Sequence, residues 1–212
     1  MPLLVAETFL SLQGEGVFAG RPCFFIRLSG CNLRCNYCDT TYAYSGGEER
    51  ELASLLAEWQ ASGVGLVEVT GGEPLLQKET VPLMETLLSS GATVLLETNG
   101  SLPLVRVPRG VIKIVDRKTP GSGMKEAWHE ENTRYIDMKD QIKFVITGRD
   151  DYEWAVALVR NSSLFLYTQV LFSPAWRLLD PAELASWILA DRLDIRLQLQ
   201  LHKILWGDKR GK

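Results

Sequence analysis

The sequence predicts an α/β fold, an incomplete (β/α) barrel of about six parallel strands that spans residues 1–212 as one domain. Two observations predict it. Short runs rich in branched and apolar residues alternate with helical patterns, as in parallel strands joined by crossover helices. A complete eight-fold barrel takes about 250 residues, whereas this chain has 212 and contains fewer helical patterns than strand patterns.

The predicted strands are apolar runs with little polar alternation, which suits strands covered on both faces. They lie at residues 24–28, 65–70, 92–99, 111–116, 141–147, 164–170 and 195–201, and a further strand precedes a glycine-rich turn at residues 14–20. Residues 100–110 show no helical pattern, so we expect a crossover helix to be missing there. The polar segment 119–139 is predicted to be a flap or a short excursion.

Four helices are predicted from their boundaries. The helices at 48–63 and 81–91 each end at a glycine, and the helix at 150–161 begins on aspartates. The helix at 180–191 begins with Asp180 as N-cap and Pro181 at the first helical position, which is a strong start signal.

The composition excludes several classes of protein. The net charge is −3 and no basic stretch stands out, so no nucleic-acid partner is expected. No apolar run reaches about 18 residues, so no membrane span is expected. The first residues lack the basic region and cleavage site of a signal peptide. We expect a cytoplasmic protein.

Three of the four cysteines form a cluster, Cys31, Cys35 and Cys38, with the spacing C-x₃-C-x₂-C. The cluster directly follows a strand, and barrel folds build active sites at the carboxyl ends of strands. Three thiolates can ligate three irons of a [4Fe–4S] cluster and leave the fourth iron open for a small molecule. Cys23 has no partner at this spacing and is interpreted as a buried strand thiol.

Other interpretations of the cysteines remain open at this point. A structural zinc site needs a fourth ligand, and the two histidines, His129 and His202, are distant in sequence. A disulfide with one free thiol, or three unligated cysteines in a turn, are further alternatives.

A second motif, Thr70-Gly71-Gly72-Glu73-Pro74, follows the strand at 65–70. Paired glycines let the backbone approach a ligand closely, and a carboxylate can accept hydrogen bonds from an ammonium group. Alone, this motif indicates only a turn. Beside the cysteines it is more specific.

Together these motifs resemble the radical S-adenosylmethionine superfamily, whose signature has an aromatic residue, here Tyr37, before the last cysteine. The resemblance implies that S-adenosylmethionine chelates the open iron and is cleaved to a 5′-deoxyadenosyl radical. It places the adenine against Tyr37, Cys38 and Asp39. The methionyl amino group would lie at Gly72 and Glu73.

A longer resemblance covers roughly residues 5 to 211. The segments ETFLSLQGEG, FIRLSGCNLRCNYCDT, TGGEP, ETNGS and LQLHKILWGDKRG resemble the 7-carboxy-7-deazaguanine synthase family. The resemblance implies a homodimeric lyase that converts 6-carboxy-5,6,7,8-tetrahydropterin to 7-carboxy-7-deazaguanine with loss of ammonia, in queuosine-type 7-deazapurine biosynthesis. It also implies Mg²⁺ and an external one-electron donor of the flavodoxin or ferredoxin type. The alternative is a glycyl-radical-enzyme activase, which shares the cluster motif but acts on a protein backbone.

The same resemblance implies roles for individual residues. Arg27 would pair with the substrate carboxylate, which agrees with the need of an arginine in an apolar strand for a partner and with its forked geometry. Thr40 would ligate Mg²⁺. The remaining substrate contacts would be Leu12, Gln13, Gly14, Thr70, His202 and Lys212. The remaining cofactor contacts would be Asp116, Lys118, Gln169, Phe172 and Ser173.

Overall fold

The computed structural model of the chain describes residues 2–162 and 166–212, and these residues form one nine-stranded sheet. The strands are β1 (Leu3–Leu12), β2 (Pro22–Leu28), β3 (Glu48–Arg50), β4 (Leu66–Gly71), β5 (Thr93–Thr98), β6 (Ile112–Asp116), β7 (Gln141–Ile146), β8 (Gln169–Pro174) and β9 (Arg196–Leu197). Their spatial order is β3-β1-β2-β4-β5-β6-β7-β8-β9.

The sheet is mostly parallel and does not close into a barrel. Strands β2 and β4 to β9 pair in parallel, and from β4 onward each connection moves one strand along. At one edge, β1 pairs antiparallel with β2 and with β3. The predicted α/β class and incomplete barrel are therefore confirmed.

Five α-helices lie in the described residues, namely α1 (Leu52–Ser62), α2 (Thr80–Ser89), α3 (Arg149–Asn161), α4 (Pro181–Asp191) and α5 (Leu201–Trp206). Helices α2, α3 and α4 connect β4 to β5, β7 to β8 and β8 to β9. The Asp180 side chain accepts a hydrogen bond from the backbone of Ala182 at 2.8 Å, as predicted for an N-cap. None of the helices within 2–162 and 166–212 has the length and apolar character needed to span a bilayer.

Three predicted boundaries are wrong. Residues 48–50 are a strand, because they pair with Leu3–Val5 at the sheet edge, and the helix begins only at Leu52. The strand predicted at 195–201 is limited to Arg196–Leu197, and α5 begins at Leu201. Part of the strand predicted at 164–170 lies outside the described residues, and β8 runs instead from Gln169 to Pro174 in register with β7.

The connection between β5 and β6 lacks an α-helix, as predicted, and contains only a 3₁₀ turn at Leu104–Arg106. The segment 119–139 contains three 3₁₀ turns. Its buried Asn132 donates to the carbonyls of Gly100 and Leu102, each at 3.0 Å, and accepts from Leu104 N at 2.9 Å. Asn132 therefore anchors this excursion to the loop after β5.

The two faces of the sheet have different partners. Helices cover one face, where Ile26, Val69 and Leu96 pack with Leu55 and Leu83. A second cluster on the helical side includes Phe144, Tyr152 and Phe172. Because side chains alternate along a strand, the residues between these apolar ones point to the opposite face. That face carries the candidate site.

Candidate active site

A cavity of about 210 Å³ opens on the face of the sheet opposite helices α1 to α4, toward the carboxyl ends of the parallel strands. Alternation along the strands brings one set of polar side chains to its wall: Arg27, Glu68, Thr70, Glu97, Asp116 and Lys143. The turn after β1, the loop after β2 and the C-terminal segment complete the lining. The cavity lining therefore draws on segments from almost the whole length of the chain, from Phe9 to Lys212.

The cysteine loop forms one side of the cavity. Cys31, Cys35 and Cys38 all line it, and their side chains are partly buried free thiols. Gly72, after β4, packs so closely on this loop that a Cβ there would overlap the Gly30 carbonyl and lie 2.8 Å from Cys31 Cβ. A glycine is required at this contact, which fixes the loop against the end of β4.

The donor set fits an iron–sulfur cluster better than a zinc ion. In the described part of the chain, no group of three or more His, Cys, Asp or Glu side chains, the three cysteines included, is arranged to hold a single metal ion. Three thiols spaced along one loop beside a cavity suit the separate corners of a [4Fe–4S] cluster. Burial raises the pKa of Cys31 and of Cys35, so cluster binding must release protons.

Glu73 does not line the cavity. Its carboxylate is fully buried and accepts hydrogen bonds from Leu75 N at 3.0 Å, Thr98 Oγ1 at 2.8 Å and Asn99 N at 2.8 Å. Burial raises its pKa to about 7 despite these donors. Glu73 therefore braces the turn, while the neighbouring Gly72 contributes to the cavity wall.

Asp116 and Lys118 lie together at the end of β6. Lys118 Nζ is 2.9 Å from Asp116 Oδ2 and 5.7 Å from the centroid of the Tyr37 ring. Burial works against the Lys118 charge, but Asp116 and Tyr37 outweigh it and raise the pKa of Lys118. The other carboxylate oxygen, Asp116 Oδ1, is buried and has no hydrogen-bond partner among residues 2–162 and 166–212. A ligand hydroxyl would satisfy it, which fits the ribose expected here.

A cluster of three carboxyl groups surrounds Lys143. Lys143 Nζ contacts Glu15 Oε2 at 2.7 Å, and it also contacts Glu97 and, at 3.6 Å, Asp116. Although burial would raise the pKa of Glu15, Lys143 and His202 lower it to about 2. Burial and the nearby Glu97 instead raise the pKa of Glu68 to about 8. The cavity thus holds charged and neutral carboxyl groups side by side.

Sequence reasoning did not single out Glu68, Glu97 or Lys143. Glu68 and Lys143 each lie between two apolar residues within a strand, in VEV and IKF, and Glu97 follows the apolar run VLL. A charged side chain in a buried strand costs free energy unless it has a partner. A charged residue within a predicted apolar strand is therefore a sequence signal that would have identified all three.

The turn after β1 contacts both the sheet and the C-terminal segment. Gln13 donates to Glu68 and accepts from Glu15 N at 3.1 Å, so both ends of its amide are already bonded. Gly14 packs against the ring of His202 and accepts a hydrogen bond from Leu201 N at 2.9 Å. Leu12, Gln13, Gly14 and His202 all line the cavity.

Arg27, Thr70, Thr40, Asp39 and Lys212 also line the cavity. Arg27 Nε donates to Glu7 at 2.9 Å, and the Thr70 hydroxyl is 3.3 Å from Glu97 Oε2. Thr40 donates to Asp39 Oδ1 at 2.9 Å. Burial works against the Asp39 charge, but Lys203 and Thr40 outweigh it and hold the Asp39 pKa below its usual value.

The structure does not bring Gln169, Phe172 and Ser173 to the cavity wall. Gln169 is exposed at the amino end of β8, opposite to the end where the cavity lies. Phe172 packs edge-on against Phe144 in the core, at 5.4 Å between ring centroids. Ser173 is buried within β8. The predicted strand ended at residue 170, whereas β8 continues to Pro174, so Ala175 and Trp176 line the cavity instead.

Comparison with known proteins identifies the family to which this chain is similar. The model of the radical SAM superfamily matches residues 25–117. The 7-carboxy-7-deazaguanine synthase of Koribacter versatilis (strain Ellin345) is 47% identical over 95% of this chain and 96% of its own length. That of Chlorobaculum tepidum is 42% identical over 99% of this chain and 97% of its own.

Solved structures also resemble this chain. The crystal structure of QueE from Escherichia coli matches with a TM-score of 0.77 and 25% identity, over 95% of both chains. Streptococcus suis SuiB, bound to precursor peptide SuiA, matches with a TM-score of 0.61 and 15% identity over 80% of this chain and 46% of its own, and shows likeness of fold alone. From the full-length relatives, the chain belongs to the 7-carboxy-7-deazaguanine synthase family of the radical SAM superfamily.

Proposed function

We infer that this chain is a radical S-adenosylmethionine lyase that converts 6-carboxy-5,6,7,8-tetrahydropterin to 7-carboxy-7-deazaguanine with loss of ammonia, in queuosine-type 7-deazapurine biosynthesis. The observation that carries this inference is one cavity shared by the Cys31–Cys38 loop and by Arg27, in a chain with full-length relatives of that name. Those relatives do not favour the alternative, a glycyl-radical-enzyme activase.

The family implies a [4Fe–4S] cluster and S-adenosylmethionine as cofactors. Cys31, Cys35 and Cys38 are proposed to hold the cluster. When bound, the two cofactors would supply the radical chemistry needed for hydrogen-atom abstraction from the substrate. The chain's own contribution is to bind the reactants in one orientation and to exclude water.

On the cofactor side of the cavity we propose contacts from Tyr37, the 37–39 backbone, Gly72, Asp116 and Lys118. The support is the unpaired Asp116 Oδ1 atom and the absence of a side chain at Gly72. Glu73 would act through the turn that it braces. Gln169, Phe172 and Ser173 are not proposed as direct contacts, because they do not line the cavity.

On the substrate side we propose that the free end of the Arg27 guanidinium binds the carboxylate of the pterin, with Thr70 nearby. The carboxyl groups of Glu15, Glu68 and Glu97 suit the N–H groups of its aminopyrimidinone edge, because carboxyl oxygens accept hydrogen bonds, and a neutral Glu68 still offers its carbonyl oxygen. The backbone of residues 12–14 borders the same space. His202 and Lys212 are proposed to close it from the C-terminal segment.

Mg²⁺ is proposed to bind at Thr40. The Thr40 hydroxyl and the Asp39 carboxylate lie 2.9 Å apart at the cavity wall, and oxygen ligands completed by water and substrate suit this ion. We also propose one domain over residues 1–212, a homodimer, a flavodoxin- or ferredoxin-type electron donor and a cytoplasmic location. A cluster held by thiolates agrees with a reducing compartment.

The test is anaerobic turnover by reconstituted protein with the carboxytetrahydropterin, S-adenosylmethionine, Mg²⁺ and a low-potential reductant. We expect 7-carboxy-7-deazaguanine and ammonia in equal amounts. Cleavage of S-adenosylmethionine without either product would reject the assigned substrate and keep the superfamily. Omitting Mg²⁺ tests its role in the same assay.

Arg27→Ala is expected to leave cluster assembly intact and to weaken substrate binding. Losing a charge-assisted contact costs about 1.5 to 3 kcal/mol, or roughly 10- to 100-fold in affinity. The measurement is the KM for the pterin, beside iron content and the KM for S-adenosylmethionine. An unchanged KM for the pterin would contradict the proposed role.

A further inference from the structure

Glu7, on β1, holds two side chains with one carboxylate oxygen. Its Oε1 atom accepts from Arg27 Nε at 2.9 Å and from the Tyr42 hydroxyl at 2.6 Å. Both contacts are partly buried, so water competes with them less than at the surface. Glu7 therefore ties the loop after the cysteines, where Tyr42 lies, to the arginine of β2.

This contact decides how Arg27 presents its remaining donors. With Nε bonded to Glu7, the plane of the guanidinium is fixed, because all its N–H groups share that plane. Arg27 lines the cavity, and in the described residues its two terminal nitrogens donate to no protein acceptor. They form the pair that a ligand carboxylate can bind with two parallel hydrogen bonds.

Tyr42 also contacts the C-terminal segment. The guanidinium carbon of Arg210 lies 3.7 Å from the centroid of the Tyr42 ring, within the range of a cation–π contact. Nearby, Lys203 Nζ contacts Asp39 at 3.2 Å and Asp208 at 3.3 Å, which holds the same segment against the loop.

We propose that Arg210, Tyr42 and Glu7 are positioning residues that orient Arg27, and that they couple closure of the C-terminal segment to recognition of the substrate's carboxylate. This inference rests on the proposed function. If these residues orient Arg27, weakening the chain of contacts should reduce affinity for a carboxylated pterin. Affinity for the same ring without its carboxylate should stay unchanged, whereas general structural damage would weaken binding of both ligands.

The experiment compares binding of 6-carboxypterin and of pterin to the reconstituted, S-adenosylmethionine-loaded enzyme, by quenching of pterin fluorescence. Tyr42→Phe removes the hydroxyl and keeps the ring under Arg210. Arg210→Ala removes an exposed side chain and leaves the core untouched. Tyr135→Phe, in a 3₁₀ turn of the 119–139 segment, is the matched control.

For Tyr42→Phe we expect the Kd of 6-carboxypterin to rise about fivefold, as for the loss of one hydrogen bond, with the Kd of pterin unchanged. Arg210→Ala should also raise the Kd of 6-carboxypterin. Tyr135→Phe should leave the Kd of both ligands unchanged. Adding Glu7→Gln to Tyr42→Phe should cost less than the sum of the two single changes, because both act through one oxygen.

The outcomes separate the two proposals. If the native enzyme prefers 6-carboxypterin and both Tyr42→Phe and Arg210→Ala keep the full preference, the positioning role is overturned and the proposed function stands. Equal weakening of both ligands would also overturn it, since that indicates general damage. If the native enzyme shows no preference for the carboxylated ring, the role of Arg27 in the proposed function fails with it.

Discussion

Two glutamates in one cavity differ in charge because their neighbours differ. Glu15 accepts hydrogen bonds from Lys143, Gln198 and Gln200 at 2.7 to 2.9 Å, and these donors stabilise its charged form although it is buried. Glu68 accepts a hydrogen bond from the Gln13 amide and lies near the charge of Glu97. Burial therefore dominates the pKa of Glu68, whereas the positive charge of Lys143 and the other donors together outweigh burial and lower the pKa of Glu15.

Glu68→Gln is expected to change how stability depends on pH. Burial raises the Glu68 pKa from 4.5 to about 8, so between these values the folded chain binds a proton that the unfolded chain has lost. The free energy of unfolding then falls as pH rises, by about 1.4 kcal/mol per pH unit from this group. Glutamine does not titrate, so the variant should lose this part of the slope in urea titrations.

Glu51→Gln, at an exposed position before α1, serves as the control for that experiment and should keep the native slope. Glu73, whose pKa burial raises to about 7, contributes a slope of the same sign in both proteins. An identical pH profile for native and Glu68→Gln proteins would show that Glu68 is ionised in the folded chain.

At the scale of elements, the cysteine loop depends on the turn after β4 as much as on its own sequence. Gly30 begins the loop with a φ of +97°, a left-handed conformation that favours glycine. Glu73 N donates to Gly30 O at 2.7 Å, and Gly72 packs against the same carbonyl. The two motifs that the sequence shows separately are one packed unit in the fold.

Gly72→Ala is expected to impair cluster assembly with little loss of secondary structure. The added methyl group would overlap the Gly30 carbonyl and crowd Cys31, and backbone cannot rotate away as a side chain can. We expect iron bound per chain after reconstitution to fall below about half of the native value. Gly65→Ala, where a Cβ meets nothing within 4 Å, is the control and should bind iron normally. Equal iron in both variants would contradict the packing argument.

Element boundaries show where local signals suffice. The start of α4 follows from Asp180 and Pro181, since a cap acts within one turn of helix. The strand at Glu48–Arg50 does not follow from local sequence, because its partner, Leu3–Val5, lies far away along the chain. The polar residues of β3 are tolerated at a sheet edge, where one side faces solvent.

At the scale of the whole molecule, the two ends of the chain meet at the site. Gly16 N donates to the Gln198 side chain at 2.7 Å, and Leu201 N donates to Gly14 O at 2.9 Å. The turn that borders the proposed substrate space is therefore held by the C-terminal segment as well as by its own backbone hydrogen bonds, such as Gly20 N to Gln13 O at 2.8 Å. Both ends of the chain therefore contribute to the cavity wall.

Cluster loading is expected to stabilise the whole fold, because the three thiols meet only in the folded chain and a ligand that binds only that state stabilises it. We expect anaerobic reconstitution to raise Tm by about 5 to 10 °C, as measured by calorimetry. Cys35→Ala should remove the increase. Cys23→Ala, in the buried strand β2, should lower the starting Tm and keep the increase. Retention of the full increase in Cys35→Ala would contradict the assigned ligands.

The sequence by itself determined the α/β class, the cysteine spacing, the helix caps and the missing crossover helix, because each depends on residues close together in the chain. Only the tertiary structure decided which polar side chains converge. Glu68, Glu97 and Lys143 meet Glu15 because four strands and a turn align in register. It also decided the Arg210, Tyr42, Glu7 and Arg27 contacts, which join four separate segments. Burial and neighbouring charges then set which of these groups are ionised, and neither exists before the chain folds.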